Sequence, residues 1–132
     1  MNPISEEIRA QAEPHIEASI SRSNPSGNTV AEVLDAIEDG SARLWLGPDS
    51  AVVTTLLQNA KVSLDEVIWH AGGSMRGVLD ILDYGAQACR MVGCDQLVLF
   101  ADEGDTRKGW ERVLEGKGFR KVTLLVKDLQ DE

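Results

Sequence analysis

The sequence predicts an α/β (α+β) fold on a single mixed sheet, an antiparallel meander followed by strand–helix–strand–helix–strand. Three observations carry this. The apolar period changes from helical to alternating just after Gly40. A Gly47-Pro48 turn separates two runs rich in β-formers. In the second half, amphipathic helical stretches alternate with short apolar runs.

The elements follow in order. Ile4, Ile8, Ala12, Ile16 and Ile20 recur every four residues, so residues 4–21 are helical, with a break or kink near Glu13 because Pro14 removes a backbone donor. Residues 23–28 form a loop by composition. Thr29 with Glu32 three residues on is a capping box, opening a helix whose apolar face is Val30, Val33, Leu34 and Ile37 and which Gly40 closes. Ala42–Leu46 and Ala51–Gln58 are strands of a hairpin, and a third strand ends in Glu66–His70 before a loop, residues 71–74. Met75, Val78, Leu79, Leu82, Ala86 and Cys89 mark one face of a long helix that Gly93 ends. Residues 96–100 read as a short strand of the buried type. Thr106–Gly116 is a second amphipathic helix carrying Trp110, Val113 and Leu114, and Gly118-Phe119 turns into a last strand, Val122–Val126.

A chain of 132 residues is the size of one domain. Its expected organisation is an N-terminal helical segment and loop over residues 1–28, a core domain over 29–128 and a short tail. The first seven residues lack the basic and apolar segments of a secretory leader, and no apolar run is long enough to span a membrane. The net charge of −9 disfavours direct binding of nucleic acid or anionic membrane. Arg107, Lys108, Lys117, Arg120 and Lys121 are the one basic concentration, read as a solvated helix face balanced by Glu111 and Glu115, with a phosphorylated ligand as the alternative. Cys89 and Cys94 are too few for a disulfide framework or a zinc cluster, so both read as buried thiols and no metal is expected. Trp45, Trp69 and Trp110 read as core, with Trp110 and Arg112 as a partner anchor in the alternative.

The layout and the residues Gly93-Cys94-Asp95-Gln96-Leu97-Val98-Leu99 and Leu114-Glu115-Gly116-Lys117-Gly118-Phe119 resemble the GNAT superfamily of acetyl-CoA-dependent N-acyltransferases, over residues 29–128. Gly40-x-x-x-Leu44-Trp45, Val52-Val53-Thr54, Ala71-Gly72-Gly73 and Gly109-Trp110-x-Arg112-x-Leu114 look like the short members encoded near structural genes of tailed bacteriophages, described as acetyltransferase-like or internal virion proteins.

Acyl-CoA binding needs backbone N–H groups aimed at a pyrophosphate, which a glycine-rich turn at a helix N-terminus supplies. Gly72, Gly73, Ser74, Arg76 and Gly77 are the residues for that task, with acetyl-CoA as the cofactor the resemblance implies. A plain strand-to-helix turn capped by Ser74 is the other reading. Against the family pattern, Arg76 and Val78 replace two small residues, Leu114 replaces the tyrosine acid, and Arg107 stands near the usual asparagine. His70 and Glu103 are the candidate catalytic groups, His70 because imidazole titrates near neutrality. The resemblance therefore implies a degenerate, phage-encoded module acting in the virion or in assembly, in the host cytoplasm or the particle, with a phage structural or host protein as partner. The alternatives are an active N-acetyltransferase acylating an amine and an acyl-CoA-binding regulator without turnover.

Overall fold

Residues 4–22, 27–58, 64–99, 105–120, 127 and 129 are described in the computed structural model. In chain order the elements are α1 (Glu6–Arg22), α2 (Val30–Asp39), β1 (Ala42–Leu46), β2 (Ser50–Gln58), β3 (Leu64–Gly73), α3 (Met75–Met91), β4 (Gln96–Leu99) and α4 (Asp105–Glu115). The chain divides into two units, residues 1–100 and 101–132.

In the first unit the strands form one mixed sheet, β1-β2-β3-β4. β1, β2 and β3 are antiparallel neighbours, and β3 pairs with β4 in parallel over Asp65↔Gln96 to Ile68↔Leu99. The predicted single mixed sheet is thus the observed one. Thr29 accepts the Glu32 amide while the Glu32 carboxylate accepts the Thr29 amide, and Gly40 caps α2 in the left-handed region at φ +89°.

Four expectations need correction. α1 continues through Pro14, without the break expected near Glu13. The C=O of Ala10 loses its helical donor there, but Ala10 and Pro14 are exposed, so water can take its place. Ala71, Gly72 and Gly73 are strand and not loop, because they pair with Val52, Ala51 and Ser50. The buried stripe of α3 keeps the expected Val78, Leu82 and Cys89 but adds Ile81 and Gly85, with Leu79 and Ala86 half-buried and Met75 exposed. β4 is half-buried, its first residue exposed, and among the described residues it pairs on one side only.

The sheet is covered on both faces. On one, Ala12 and Ile16 of α1 and Val33 and Leu34 of α2 pack with Ala42 and Val53, and Leu44, Leu46 and Trp69 close over them. Strand alternation puts Trp45, Val52 and Thr54 on the other face, under α3. β3 carries a bulge: Val53 faces His70 while Thr54 faces Ile68, so Trp69 is an extra residue. The bulge turns two consecutive side chains toward the same helices. Trp69 joins the α1–α2 core, and His70 reaches Ser19 of α1.

The second unit holds α4. Its end has Phe119 N–H bonded to Leu114 C=O and Gly118 N–H bonded to Glu115 C=O, with Gly118 at φ +87°. This is a Schellman motif, and it realises the predicted Gly118-Phe119 turn. The predicted strand Val122–Val126, Phe100, Lys121 and Glu103 lie outside the described residues.

Candidate functional site

Gly72, Gly73, Ser74, Arg76 and Gly77 gather where β3 passes into α3. Ser74 N-caps the helix, its Oγ accepting the Gly77 N–H at 3.0 Å, and its own N–H donates to the Asp49 C=O at 3.1 Å. At Gly72 and Gly73 the backbone of the chain itself requires glycine. A Cβ on Gly72 would stand 1.9 Å from the carbonyl oxygen of His15 in α1. One on Gly73, which sits at φ +103°, would stand 2.2 Å from the Asp49 carbonyl oxygen, and one on Gly77 2.4 Å from Ser50 Oγ. Each open Cα face is therefore filled by protein and does not form a cradle for a pyrophosphate. With the Ser74 and Gly77 N–H groups already engaged, what the turn still offers an anion is the N–H groups of the two residues between them, which have no intrahelical acceptor. Arg76 is exposed beside it, and Val78 is buried under the helix.

His70 is 3% exposed. Its Nδ1 lies 3.1 Å from Ser19 Oγ, which also accepts the Ala71 N–H at 3.2 Å. Its Nε2 is buried with no hydrogen-bond partner among the described residues. Burial pushes the imidazole pKa below its ordinary value, favouring the neutral ring. It is a packed polar residue between α1 and β3. In the second unit, Leu114 is buried, an apolar side chain at the position that resembles the family acid, and the side chain of Arg107 lies outside the described ones.

Two groupings escaped the sequence reading. The first is a cleft of about 800 Å³ between the β1–β2 turn and α3, bordered by Trp45, Asp49, Arg76, Asp80 and Tyr84. Tyr84 is 68% exposed and meets Trp45 edge-on at 6.0 Å between ring centres. Trp45 is thus a wall of this cleft and not plain core. The signal was available: Arg76, Asp80 and Tyr84 recur at intervals of four, one face of a helix.

The second is a buried polar chain behind that wall. Trp45 Nε1 donates to Thr54 Oγ1 at 2.9 Å, and Thr54 Oγ1 donates to Glu66 Oε2 at 2.7 Å. Glu66 Oε1 accepts the thiol of Cys89 at 3.1 Å and faces the Arg43 guanidinium at 3.3 Å. Cys94 stands beside Cys89, and the ligand atoms of Glu66, Cys89 and Cys94 all lie within 4.8 Å of one another. Counting cysteines missed this because the third donor comes from a strand far away in sequence. Cys89 is buried as expected, whereas Cys94 is half-buried.

Neither a protein-family model nor a curated protein matches the chain. Solved structures do. A protein of Thermus thermophilus is 16% identical over 99% of this chain and 98% of its own, with a TM-score of 0.65. An acetyltransferase of Trypanosoma brucei is 12% identical over 92% of this chain and 94% of its own, at 0.61. Glucosamine-6-phosphate N-acetyltransferase from Arabidopsis thaliana is 9% identical over 98% and 97%, at 0.62. At such identities the likeness speaks of architecture alone, and the chain has the fold of these acetyltransferases.

Proposed function

We propose that the chain is an acetyltransferase-fold module used for binding or assembly, with little or no acyl transfer of its own. The burial of His70 carries this reading. Amine acylation needs a base that reaches the amine and an acid for the departing thiolate. His70 is buried, turned into the α1 interface and engaged with Ser19. The filled Cα faces of Gly72, Gly73 and Gly77 support the same reading. The partner we assign is a phage structural or host protein, on the strength of the short motifs around Gly72-Gly73 and Trp110; detection in purified particles tests that setting.

The direct test mixes the chain with acetyl-CoA and a panel of primary amines and follows thiol release and melting temperature. We expect no amine-dependent release. We also expect no stabilisation at millimolar acetyl-CoA, where a ligand at a hundred times its Kd would add about 2.7 kcal/mol. Amine-dependent release that His70→Ala abolishes would overturn the proposal.

One observation favours the alternative of an active N-acetyltransferase. Residues 69–73 of β3 run past the last described pair with β4 and lead into the start of α3. A strand edge feeding a helix N-terminus suits an extended, amide-bearing acyl thioester ending in phosphates. Stabilisation by acetyl-CoA together with thiol release would select this reading.

A further inference from the structure

We propose that Glu66, Cys89 and Cys94 form a binding site for a thiophilic divalent cation of the zinc class. Such a site needs no acyl chemistry. Helices α3 and α4 end alike. At the end of α3, Cys94 N–H bonds to Cys89 C=O at 2.8 Å and Gly93 N–H bonds to Arg90 C=O at 3.3 Å, with Gly93 at φ +89°. The end of α4 repeats this pattern with Leu114 and Phe119 in the places of Cys89 and Cys94. Packing at such a motif asks for an apolar pair, and α4 supplies one. α3 instead supplies two thiols and sets them against a carboxylate that is 1% exposed.

That carboxylate is the feature packing does not explain. Burial and Glu66 push the Cys89 thiol pKa well above its ordinary value. Among the described residues, Arg43 is the cation paired with Glu66. Ionising both thiols would bring the group to three negative charges, and a divalent cation together with Arg43 returns it to neutrality, as a buried charge cluster requires. The step is an exchange: M²⁺ plus two thiols gives two metal–thiolate bonds and two released protons. Two sulfurs and one oxygen select zinc or cadmium over magnesium or calcium, which prefer oxygen.

The geometry is close to what such an ion needs. Tetrahedral zinc with bonds of about 2.3 Å to sulfur and about 2.0–2.2 Å to oxygen separates its donors by roughly 3.5–3.8 Å. The Cys89–Glu66 separation is 3.1 Å and the whole set spans at most 4.8 Å, so shifts on the order of 1 Å complete the arrangement. Glu66 is pre-oriented by Thr54 on one oxygen, leaving the other toward the thiols. Half-buried Cys94, beside exposed Gly93 and Asp95, is the point of entry.

The test is a cadmium titration of the reduced full chain, followed by ultraviolet thiolate-to-cadmium charge transfer and by proton release. We expect saturation at one equivalent, two protons released per ion, and an affinity that falls about a hundredfold per pH unit on acidification. Cys94→Ser, at a half-buried position, should keep the far-ultraviolet circular dichroism of the parent and lose about half the band and at least tenfold in affinity. Glu66→Gln should weaken zinc binding at least tenfold, and magnesium should not compete. No band at one equivalent, a band that survives Cys94→Ser unchanged, or zinc affinity indifferent to Glu66→Gln would each overturn the proposal.

Discussion

Gly72→Ala and Gly85→Ala are the same chemical change with opposite expected signs. At Gly72 the new Cβ would lie 1.9 Å from the His15 carbonyl oxygen and 2.8 Å from its carbon. No rotamer relieves this, because both partners are backbone. Ordinary contact begins near 3.4 Å, so α1 and β3 must separate by about 1.5 Å, through a core in which Ala12 and Ile16 are almost fully buried. Forcing a methyl into a packed interior costs about 1–3 kcal/mol, and a rigid backbone contact belongs at the upper end. For a chain of this size about 3 kcal/mol lowers the melting temperature by roughly 10 °C. Gly85 is buried inside α3, yet its added Cβ would meet nothing within 4 Å. There alanine should stabilise by about 0.5–1 kcal/mol, from helix propensity alone, raising the melting temperature by roughly 2–4 °C. Thermal melts followed by circular dichroism measure both, and amide exchange in α1 should rise in Gly72→Ala only. A Gly72→Ala chain that melts within about 2 °C of the parent would refute the claim that this glycine exists for the α1 contact.

Further outcomes are expected elsewhere. The folded pKa of His70 is depressed, so as pH falls through the ordinary imidazole range the unfolded chain takes up a proton that the folded chain refuses, and stability is lost down to the folded pKa. Urea melts at about pH 7.5 and below about pH 6 should show that loss, and His70→Gln should flatten it; an unchanged pH dependence would remove His70 as the cause. Thr29→Ala breaks the capping box and should cost about 1 kcal/mol in the same melts, with a cost near zero telling against the cap. Thr54→Val strips the hydroxyl that joins Trp45 to the buried Glu66 carboxylate, and a loss of about 1–3 kcal/mol with a shifted tryptophan emission is expected; a neutral result would mean the linkage contributes nothing.

What could be read from the sequence was what neighbours in sequence decide. The Thr29–Glu32 box, the Gly40 cap, the β1–β2 turn and the Gly118-Phe119 turn each depend on a few consecutive residues, and each is present. Ala71-Gly72-Gly73 looked like loop because alanine and glycine are weak strand formers, and only the ladder against Ser50–Val52 makes them strand. The choice between a ligand and a helix as the reason for Gly72 was not local either, since His15 lies far upstream. The same holds for His70, whose setting is decided by Ser19, and for Glu66, whose neighbours Cys89 and Cys94 arrive through α3. Nothing in a glycine says whose backbone will come close to it.

The extra residue at Trp69 has a consequence of parity. Glu66, His70 and Gly72 are all even-numbered, and in a regular strand they would share one face of the sheet. Their partners sit on opposite faces: Cys89 of α3 for Glu66, and Ser19 and His15 of α1 for His70 and Gly72. One inserted residue flips the count midway and lets a single strand serve both helices. A deletion of Trp69 would thus do more than remove an aromatic ring. It would force the chain to choose which of its two helices β3 can still satisfy, leaving either the thiol-facing or the α1-facing half of the strand out of step.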